Sequence, residues 1–436
     1  MELLRSLFWS FVSKMSSQSG TDVVEINDTT TSDLDNAIPE YWATKIRLDA
    51  IKSAFWGSRF EGKQGSRMPI IANTDFTKSA GDKIHFQTLS RLFGAGVTGE
   101  SILTGNEEKL SLGQYDLTVE WIRHAVGFNK RGTKRANFDA VRVAGNELAE
   151  WAARYIDDGM MEQLISTETT QSTIYAGNKA TEATLTSSDV FNTDALDRLK
   201  VAMLRKGALP FQVKSVNGSS LKCFGVVVDP IDAYNLRGDE AWWSAQRDGN
   251  MRGTDNPIFT GALGMYNGMI VYEFGNVGGR QGTWLRPECA LSAAIDDDDT
   301  TITVTLGGVI THDATKYFAS SGTITIDNEE ITYSAKSVYT LTVTARGANG
   351  TTAASHASGA LVTQRNVSTQ IGFGSEIAVR GWGLYPRATK QVQDYGFMFG
   401  VGIEAVFGQI AVKDKAGTCP NYILMKSYAK NPNPTI

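Results

Sequence analysis

The stretch from Gly81 to Asn129 decides the fold and reads GDKIHFQTLSRLFGAGVTGESILTGNEEKLSLGQYDLTVEWIRHAVGFN. Lys83–Leu92 alternates imperfectly between polar and apolar residues, and Tyr115–Val126 is rich in the β-branched and aromatic residues typical of strands. Between them, Gly94–Gly113 contains five glycines and little that could form a core. The pattern predicts a long antiparallel hairpin with an irregular tip. Because an isolated two-stranded ribbon is marginally stable in water, another surface, for example another subunit, must support it.

The glycines of the tip also match a nucleotide-binding motif. Gly94, Gly96 and Gly99 satisfy G-x-G-x-x-G, which binds a dinucleotide when it lies between a strand and a helix. Here Gly105 and Gly113 interrupt any helix that would follow. A flexible loop tip is therefore favoured, and a nucleotide-binding enzyme is the alternative.

The composition is that of an ordinary soluble globular protein. The 436 residues, 42% hydrophobic and 20% charged, are enough for two or three domains. The formal net charge of −5 argues against a protein that coats nucleic acid through a basic surface. Cys223, Cys289 and Cys419 lie far apart and form no CxxC motif, which favours a reducing compartment.

No motif in the sequence predicts catalysis. The four histidines, His85, His124, His312 and His356, have no partners at metal-site or triad spacing, so structural or exposed roles are expected. The G-x-x-x-x-G-K-[ST] and G-x-S-x-G motifs are absent. Asp296–Asp299 could bind calcium, but it lacks the alternating ligands and turn glycine of a calcium loop. We expect no catalytic residue, no cofactor and no metal.

Two surface features allow more than one interpretation. Trp242 and Trp243 could stack on a base or a sugar, although core packing is favoured. The basic segment KRGTKR at 130–135 is expected to be a solvated turn. Its charges could meet DNA phosphate or form salt bridges between subunits, and the segment alone does not separate these roles.

Helical periodicity is strongest between Phe138 and Ser166, where apolar residues recur on one face. At 1.5 Å per residue this helix would be roughly 42 Å long, which suggests a structural beam. Further elements are predicted as helices at Glu40–Phe55, Thr193–Lys206 and Ile231–Asn250 and as strands at Phe224–Val228 and within Ala262–Phe274. The combination predicts an α+β protein.

The N-terminal stretch Met1–Met15 has apolar residues at helical spacing between Arg5 and Lys14. It is too short to span a bilayer and lacks a clear signal-peptide cleavage site. We interpret it as an amphipathic helix that docks on a partner. The alternatives are a signal peptide and a translation start at Met15.

The composition changes between Ser292 and Thr363. This segment is rich in threonine and contains short runs that alternate with period two, with Asp327–Glu329 placed as a hairpin turn. We interpret it as a small all-β module inserted into the α+β domain. Because insertions are tolerated at exposed loop tips, we expect it on an outer surface, where it could engage a glycan or a decoration protein.

Several stretches together resemble one protein family. They are IPEYWATKI at 38–46, FWGSRFEG at 55–62, GDKIHFQTLSRLFGAGVTGESILTGNEEKL at 81–110, the long helix, and DYGFMFGVGIEAVFG at 394–408. They resemble the podovirus-type major capsid proteins of tailed bacteriophages, over nearly the whole chain except residues 1–35 and the inserted module. The module itself resembles small β modules of phage structural proteins.

The resemblance implies the tailed-phage major capsid fold with an inserted all-β domain. The implied layout is an N-terminal arm (1–68), an extended β-hairpin loop (69–130), a peripheral domain with the spine helix (131–190), the first part of an axial domain (191–290), the inserted β module (291–364), and the axial return with a C-terminal peripheral strand and tail (365–436).

The resemblance also implies a function. Pentamers and hexamers of the chain would close an icosahedral shell around the double-stranded DNA of the phage, after assembly in the host cytoplasm and without a membrane. Portal, scaffolding and cement or decoration proteins are implied partners, and a cellular protein-compartment shell of the same fold is the alternative. The intersubunit contact candidates are Trp42, Phe55, Trp56, Arg59, Arg91, Gly94, Gly96, Gly99, Glu107, Glu108, Arg131 and Arg135.

Overall fold

The computed structural model describes residues 29–30, 54–57, 59–63, 65–74, 83–89, 94, 96–109, 112–134, 140–165, 172–214, 220–248, 263–275, 283–306, 313–414 and 417–430. The predicted N-terminal helix Met1–Met15, and the predicted helix Glu40–Phe55 except for its last two residues, lie outside this part of the chain. The chain divides into two compact units. The first comprises Met1–Arg47, Arg123–Ala149 and Pro386–Glu404, and the second comprises Leu48–Ile122, Glu150–Tyr385 and Ala405–Ile436.

Strands predominate among the described residues. In chain order they are β1 (Thr29–Thr30), β2 (Glu61–Gly62), β3 (Ile70–Asn73), β4 (Lys83–Leu89), β5 (Leu112–Thr118), β6 (Glu120–Asn129), β7 (Thr173–Tyr175), β8 (Phe211–Lys214), β9 (Ser220–Val228), β10 (Gly264–Tyr266), β11 (Met269–Glu273), β12 (Glu288–Leu291), β13 (Thr301–Thr305), β14 (Gly322–Ile326), β15 (Glu329–Lys336), β16 (Thr340–Ala345), β17 (Leu361–Thr363), β18 (Val367–Phe373), β19 (Ala378–Gln393), β20 (Met398–Ala411) and β21 (Tyr422–Tyr428).

The helices are fewer. They are α1 (Lys130–Thr133), α2 (Ala140–Ile165), α3 (Thr193–Lys206), α4 (Pro230–Arg237) and α5 (Glu240–Asp248). None of the helices in the described part of the chain is both long and apolar enough to cross a membrane. The mixture of elements confirms the predicted α+β class.

The predicted hairpin is formed by β4 and β5. They pair antiparallel from Lys83 opposite Thr118 to Leu89 opposite Leu112. Each strand has seven residues, so the ribbon spans roughly 23 Å. Along β5 buried and exposed residues alternate, as expected for a strand with one covered face.

The predicted strand Tyr115–Val126 is wrong as a single element. It is divided near Val119, where β5 ends and β6 begins. β6 leaves the hairpin and joins a six-stranded sheet of order β1-β6-β20-β19-β3-β2. An unbroken run of β-branched and aromatic residues does not show where a strand changes partners, because both neighbours favour the same residue types.

The long helix predicted at Phe138–Ser166 is confirmed as α2, the spine helix, with 26 residues. At 1.5 Å per residue it is about 39 Å long. Leu148, Ile156 and Leu164 on its apolar stripe are buried. Hydrophobic periodicity was sufficient to find this element because it is sustained over seven turns.

The second unit contains a seven-stranded sheet of order β10-β11-β9-β18-β21-β7, with β8 paired to β9. In β9, Val226, Val227 and Val228 are fully buried, which explains why this strand reads as a continuous apolar run. α3 has the bounds predicted from the sequence. Its N-terminus is capped by Asn192, and it ends at Gly207, whose φ of 75° suits glycine.

The predicted helix Ile231–Asn250 is wrong as a single helix. The chain forms α4 and α5, and the break falls at Gly238. Asp239 then accepts a hydrogen bond from the backbone N–H of Ala241 at 3.0 Å. Of the two tryptophans in α5, Trp242 is buried as expected for core packing, whereas Trp243 is largely exposed.

The basic segment at 130–135 is also different from the prediction. It begins with the short helix α1 and not with a turn. Asn129 caps α1 by accepting a hydrogen bond from Gly132 N at 2.7 Å. In the same unit Phe128, Ala144 and Phe399 belong to one apolar cluster. The residues directly before the basic segment are therefore packed in a core.

Six strands of the second unit close into a barrel of order β12-β13-β16-β15-β14-β17. All six lie between Glu288 and Thr363. Their inward side chains, including Ile302, Ile324 and Leu341, are buried in one cluster. The turn between β14 and β15 has Asp327 at a φ of 51°, a backbone conformation that aspartate tolerates better than most residues.

Candidate functional site

The hairpin tip is an ordered loop that is held by hydrogen bonds between its own residues. Gly94 N donates to the Glu108 carboxylate at 2.6 Å, and Gly105 N donates to Glu107 at 2.7 Å. Asn106 N donates to the carbonyl of Leu103 at 2.9 Å. Two of the predicted contact residues, Glu107 and Glu108, therefore shape the tip from within.

Apolar side chains on this tip face solvent. Ile102 is 73% exposed and Leu103 is 60% exposed. Gly96 and Gly99 have φ values of 69° and 72°, which glycine adopts without strain. The chain continues from the tip into β5 and not into a helix, so the strand-to-helix context of a nucleotide-binding loop is missing here.

The base of the hairpin, by contrast, is fixed to its own chain. Tyr115 and Leu117 of β5 form an apolar cluster with Val379 of β19. Phe86 of β4 stacks on Tyr115 with ring centroids 5.5 Å apart. The ribbon is therefore supported at one end and presents its apolar tip at the other.

A second feature is the turn at 54–57, which the spine helix holds. The two carboxylate oxygens of Asp157 accept hydrogen bonds from Phe55 N at 2.7 Å and from Trp56 N at 2.8 Å. The Trp56 side chain is fully buried among apolar residues that include Phe60 and Phe373. Trp56 was predicted as an intersubunit contact, but its side chain has no exposed surface with which to touch a neighbour.

A buried arginine completes this anchor. Arg380 of β19 is fully buried. Its Nη1 donates to the Trp56 carbonyl at 2.9 Å and to Glu61 at 3.2 Å. Its Nη2 donates to Gln409 at 2.9 Å. Every one of these acceptors belongs to a different segment, so the guanidinium ties three parts of the second unit together.

Burial dominates the electrostatics of the anchor. It raises the pKa of Asp157 to about 6, although the hydrogen bonds from Trp56 and Phe55 and the charge of Arg380 act in the opposite direction. Burial lowers the pKa of Arg380, against the opposing charges of Glu61 and Asp157. Sequence reasoning missed Asp157 and Arg380. A single arginine in the apolar run IAVRGWG was the available signal, because an unpaired charge does not persist in a core.

The other predicted contact residues have varied positions. Phe55 is half-buried, whereas Arg59, Gly94 and Arg131 are exposed. The remaining predicted residues, Trp42, Arg91 and Arg135, lie outside the described part of the chain. Among the described candidates, the structure brings Gly94, Gly96, Gly99, Glu107 and Glu108 together on the exposed hairpin tip.

One exposed apolar turn was not predicted from the sequence. The turn between β19 and β20, in the first unit, exposes Val392, Tyr395 and Phe397, and Tyr395 is fully exposed. Asp394 and Tyr395 both have positive φ, at 49° and 50°, which costs free energy in residues other than glycine. The signal in the sequence was the aromatic-flanked turn DYGF.

A buried carboxylate, that of Glu329, holds one loop of the barrel in place. The two carboxylate oxygens of Glu329 accept hydrogen bonds from the Arg346 guanidinium, at 2.9 Å each. The carboxylate also accepts hydrogen bonds from Gly347 N and Ala354 N. His356 Nε2 lies 2.9 Å from the same carboxylate. The loop between β16 and β17 is thereby held to the β14–β15 hairpin, and His356 has the structural role expected of it.

The hydrogen bonds of Glu329 predict that the stability of the subunit depends on pH. Burial opposes ionisation of Glu329, but the hydrogen bonds from Arg346, His356 and the backbone outweigh it and lower the pKa of Glu329 to about 2. A lowered pKa contributes stability above the ordinary value near 4.5, and that stability is lost as pH falls toward 2. Glu329→Gln should therefore cost about 3 kcal/mol at pH 7 and abolish this acid dependence, as measured by denaturant unfolding between pH 2 and 7. Asp298→Asn, at an exposed carboxylate of the same barrel segment, is the control, and equal losses in both variants would contradict the prediction.

The comparisons with known proteins agree with this architecture. Among solved structures, the chain is similar to the capsid of Ralstonia phage GP4, with 18% identity and a TM-score of 0.58 over 96% of this chain and 100% of that one. It is similar to the Cyanophage Pam1 capsid, with 15% identity and a TM-score of 0.58 over 94% and 99%. The head of Helicobacter pylori bacteriophage KHP40 matches with 13% identity and a TM-score of 0.53 over 95% and 97%. No curated protein sequence matches the chain.

The fold is therefore shared with solved phage capsid proteins. Residues 25–180 and 170–283, together more than half of the chain, match the model of a family described as phage capsid protein. The chain belongs to that family. It is a major capsid protein of a tailed phage, a structural component of the virion that forms the icosahedral shell.

Proposed function

We propose that copies of this chain form pentamers and hexamers that close the shell around packaged double-stranded DNA. The observation that carries this proposal is the ordered loop at 94–109. It exposes Ile102 and Leu103 at the tip of a hairpin whose base packs against its own chain. Covering apolar surface on a neighbour stabilises by about 25 cal/mol per Å². One such contact is weak, but a closed symmetric assembly repeats it in every subunit.

The domain layout remains part of the proposal. We propose an N-terminal arm (1–68), an extended loop (69–130), a peripheral domain (131–190), an axial domain in two parts (191–290 and 365–436) and an inserted β module (291–364). The arm and the loop clasp neighbouring subunits. What supports the arm is its attachment, because Asp157 and Arg380 hold its backbone at Phe55 and Trp56.

The charge of the barrel supports an outward orientation. Residues 288–363 contain nine acidic and three basic residues, a formal charge of −6, whereas the whole chain carries −5. All other residues together therefore carry +1. Packaged DNA is a dense polyanion that repels acidic surfaces. An acidic barrel on the outer surface avoids this repulsion, and the nearly neutral remainder lines the wall.

Membership of the family also supports a proposal about partners. We propose a portal protein, a scaffolding protein and a cement or decoration protein, with assembly in the host cytoplasm. A cellular compartment shell is the rival function, and enzyme cargo in place of DNA inside purified particles would favour it.

A labelling experiment tests the orientation of the barrel. Asn328 lies in the exposed turn between β14 and β15, and the three native cysteines are buried. In DNA-filled particles carrying Asn328→Cys, a maleimide on a polymer too large to enter the shell should label nearly all subunits. Labelling that requires prior disruption of the particles would show that the barrel faces inward.

A further inference from the structure

The barrel touches the spine helix through a short loop. This docking loop, residues 313–319, joins β13 to β14 and presents Lys316 and Tyr317. Lys316 Nζ lies 2.8 Å from the Asp158 carboxylate of α2. The Tyr317 hydroxyl donates to the same oxygen at 3.4 Å. Two side chains of the barrel thus converge on one carboxylate of the helix.

The docking loop is rigid because a second lysine holds it. Lys336 Nζ, from β15, donates to the carbonyls of Thr315 at 2.8 Å and Phe318 at 2.6 Å. Burial lowers the pKa of Lys336, whereas the charges of Asp313 and Glu162 act to raise it. Glu162 lies on α2 one turn beyond Asp158, so the helix presents both carboxylates on one face.

An aromatic contact continues this surface into the main core. Tyr317 is buried and meets Trp284 edge-to-face with ring centroids 5.5 Å apart. Trp284 in turn packs against the principal apolar cluster of the second unit. The barrel therefore contacts the body through a desolvated aromatic pair as well as through charge.

The chain entering and leaving the barrel is also held. Arg286 is buried, contacts Glu288 of β12, and donates to the carbonyl of Ala429 at 3.1 Å. On the exit side, Arg365 lies 3.4 Å from Glu330. These contacts leave the barrel no free hinge at the two ends of its segment.

The placement of charge is selective. The barrel segment contains only three basic residues, Lys316, Lys336 and Arg346. Arg346 binds Glu329 inside the barrel, Lys316 binds Asp158 of the helix, and Lys336 holds the docking loop. An acidic module that directs one lysine at a helix carboxylate, and uses the other to hold the loop that carries it, is complementary to that helix face.

We propose that the barrel is a brace for the spine helix, seated on Asp158 by Lys316 and Tyr317 of a docking loop that Lys336 holds, and is part of the shell wall. The adjacent residue Asp157 holds the turn at 55–56, so neighbouring aspartates fasten two separate segments to one point of the helix. The brace is independent of the outward orientation proposed above. It predicts that losing the barrel contact weakens the wall itself.

A charge swap tests the brace. Lys316→Glu should accelerate amide hydrogen exchange in residues 313–319 and 155–165 at least about fivefold, because repulsion replaces attraction at Asp158. Asp158→Lys should do the same, and the double variant should restore most of the protection. Lys222→Glu, the same charge change at an exposed lysine of β9, is the control and should leave these segments unchanged.

The measurement uses the full-length protein and does not require assembly, so its outcome is separate from that of the proposed function. Intact shells carrying Lys316→Glu should also dissociate at a lower temperature than shells carrying Lys222→Glu. Unchanged exchange in both single variants would overturn the brace. So would fast exchange of the 315–318 amides in the native protein, since a seated loop must be protected.

Discussion

Replacing Arg380 with alanine is expected to destabilise the subunit by about 3–5 kcal/mol, because it leaves the buried Asp157 and the half-buried Glu61 carboxylate without their cation. The Trp56 carbonyl and Gln409 lose hydrogen bonds at the same time. A loss of this size is a large fraction of the stability of a typical domain. Denaturant unfolding of the purified subunit measures it directly.

Arg387 provides the matched control. It lies on the same strand, pairs with Glu404 at 2.6 Å and has a side chain that is 56% exposed. Because the Arg387 guanidinium is in contact with solvent, whereas that of Arg380 is fully buried, Arg387→Ala should cost no more than about 1 kcal/mol. Equal unfolding midpoints for the two variants would mean that Arg380 does not anchor the turn at 54–57.

The second large effect concerns assembly. Deleting Gly94–Leu110 leaves residues 90–93 and Ser111 to connect Leu89 to Leu112, which pair opposite each other. Five residues suffice for a hairpin connection, so the subunit should fold with a nearly unchanged melting temperature. The yield of closed shells should fall at least about tenfold, because every subunit loses the contact of its exposed tip.

A replacement of equal length separates contact from chain length. Residues 96–109 exchanged for glycine and serine keep the reach of the loop but remove Ile102 and Leu103. This variant should assemble as poorly as the deletion in sedimentation analysis. Normal shells from either variant would show that the loop does not clasp a neighbour.

The elements that the sequence predicted well are those with a sustained period. The spine helix repeats its apolar stripe around Leu148 and Ile156, and α3 carries its own cap residues at Asn192 and Gly207. The barrel strand Gly322–Ile326 alternates threonine with isoleucine, as the period-two runs predicted for this segment require. In each case the local residues determine the local structure without reference to distant ones.

The elements that the sequence did not predict depend on distant partners. Nothing near Asp157 indicates that it will bind the backbone at Phe55, and nothing near Lys316 indicates that it will meet Asp158. Likewise, β6 leaves the hairpin because of the strands available beside it and not because of a change in its own residue types. The anchor and the brace are tertiary features, which periodicity does not encode.

Electron microscopy of the purified protein tests the central claim most directly. If the chain forms the icosahedral shell, it should yield closed, faceted particles built from rings of five and six subunits, with the loop at 94–109 lying on an adjacent subunit. A population of only monomers or small closed oligomers, under conditions in which the subunit is folded, would contradict the account.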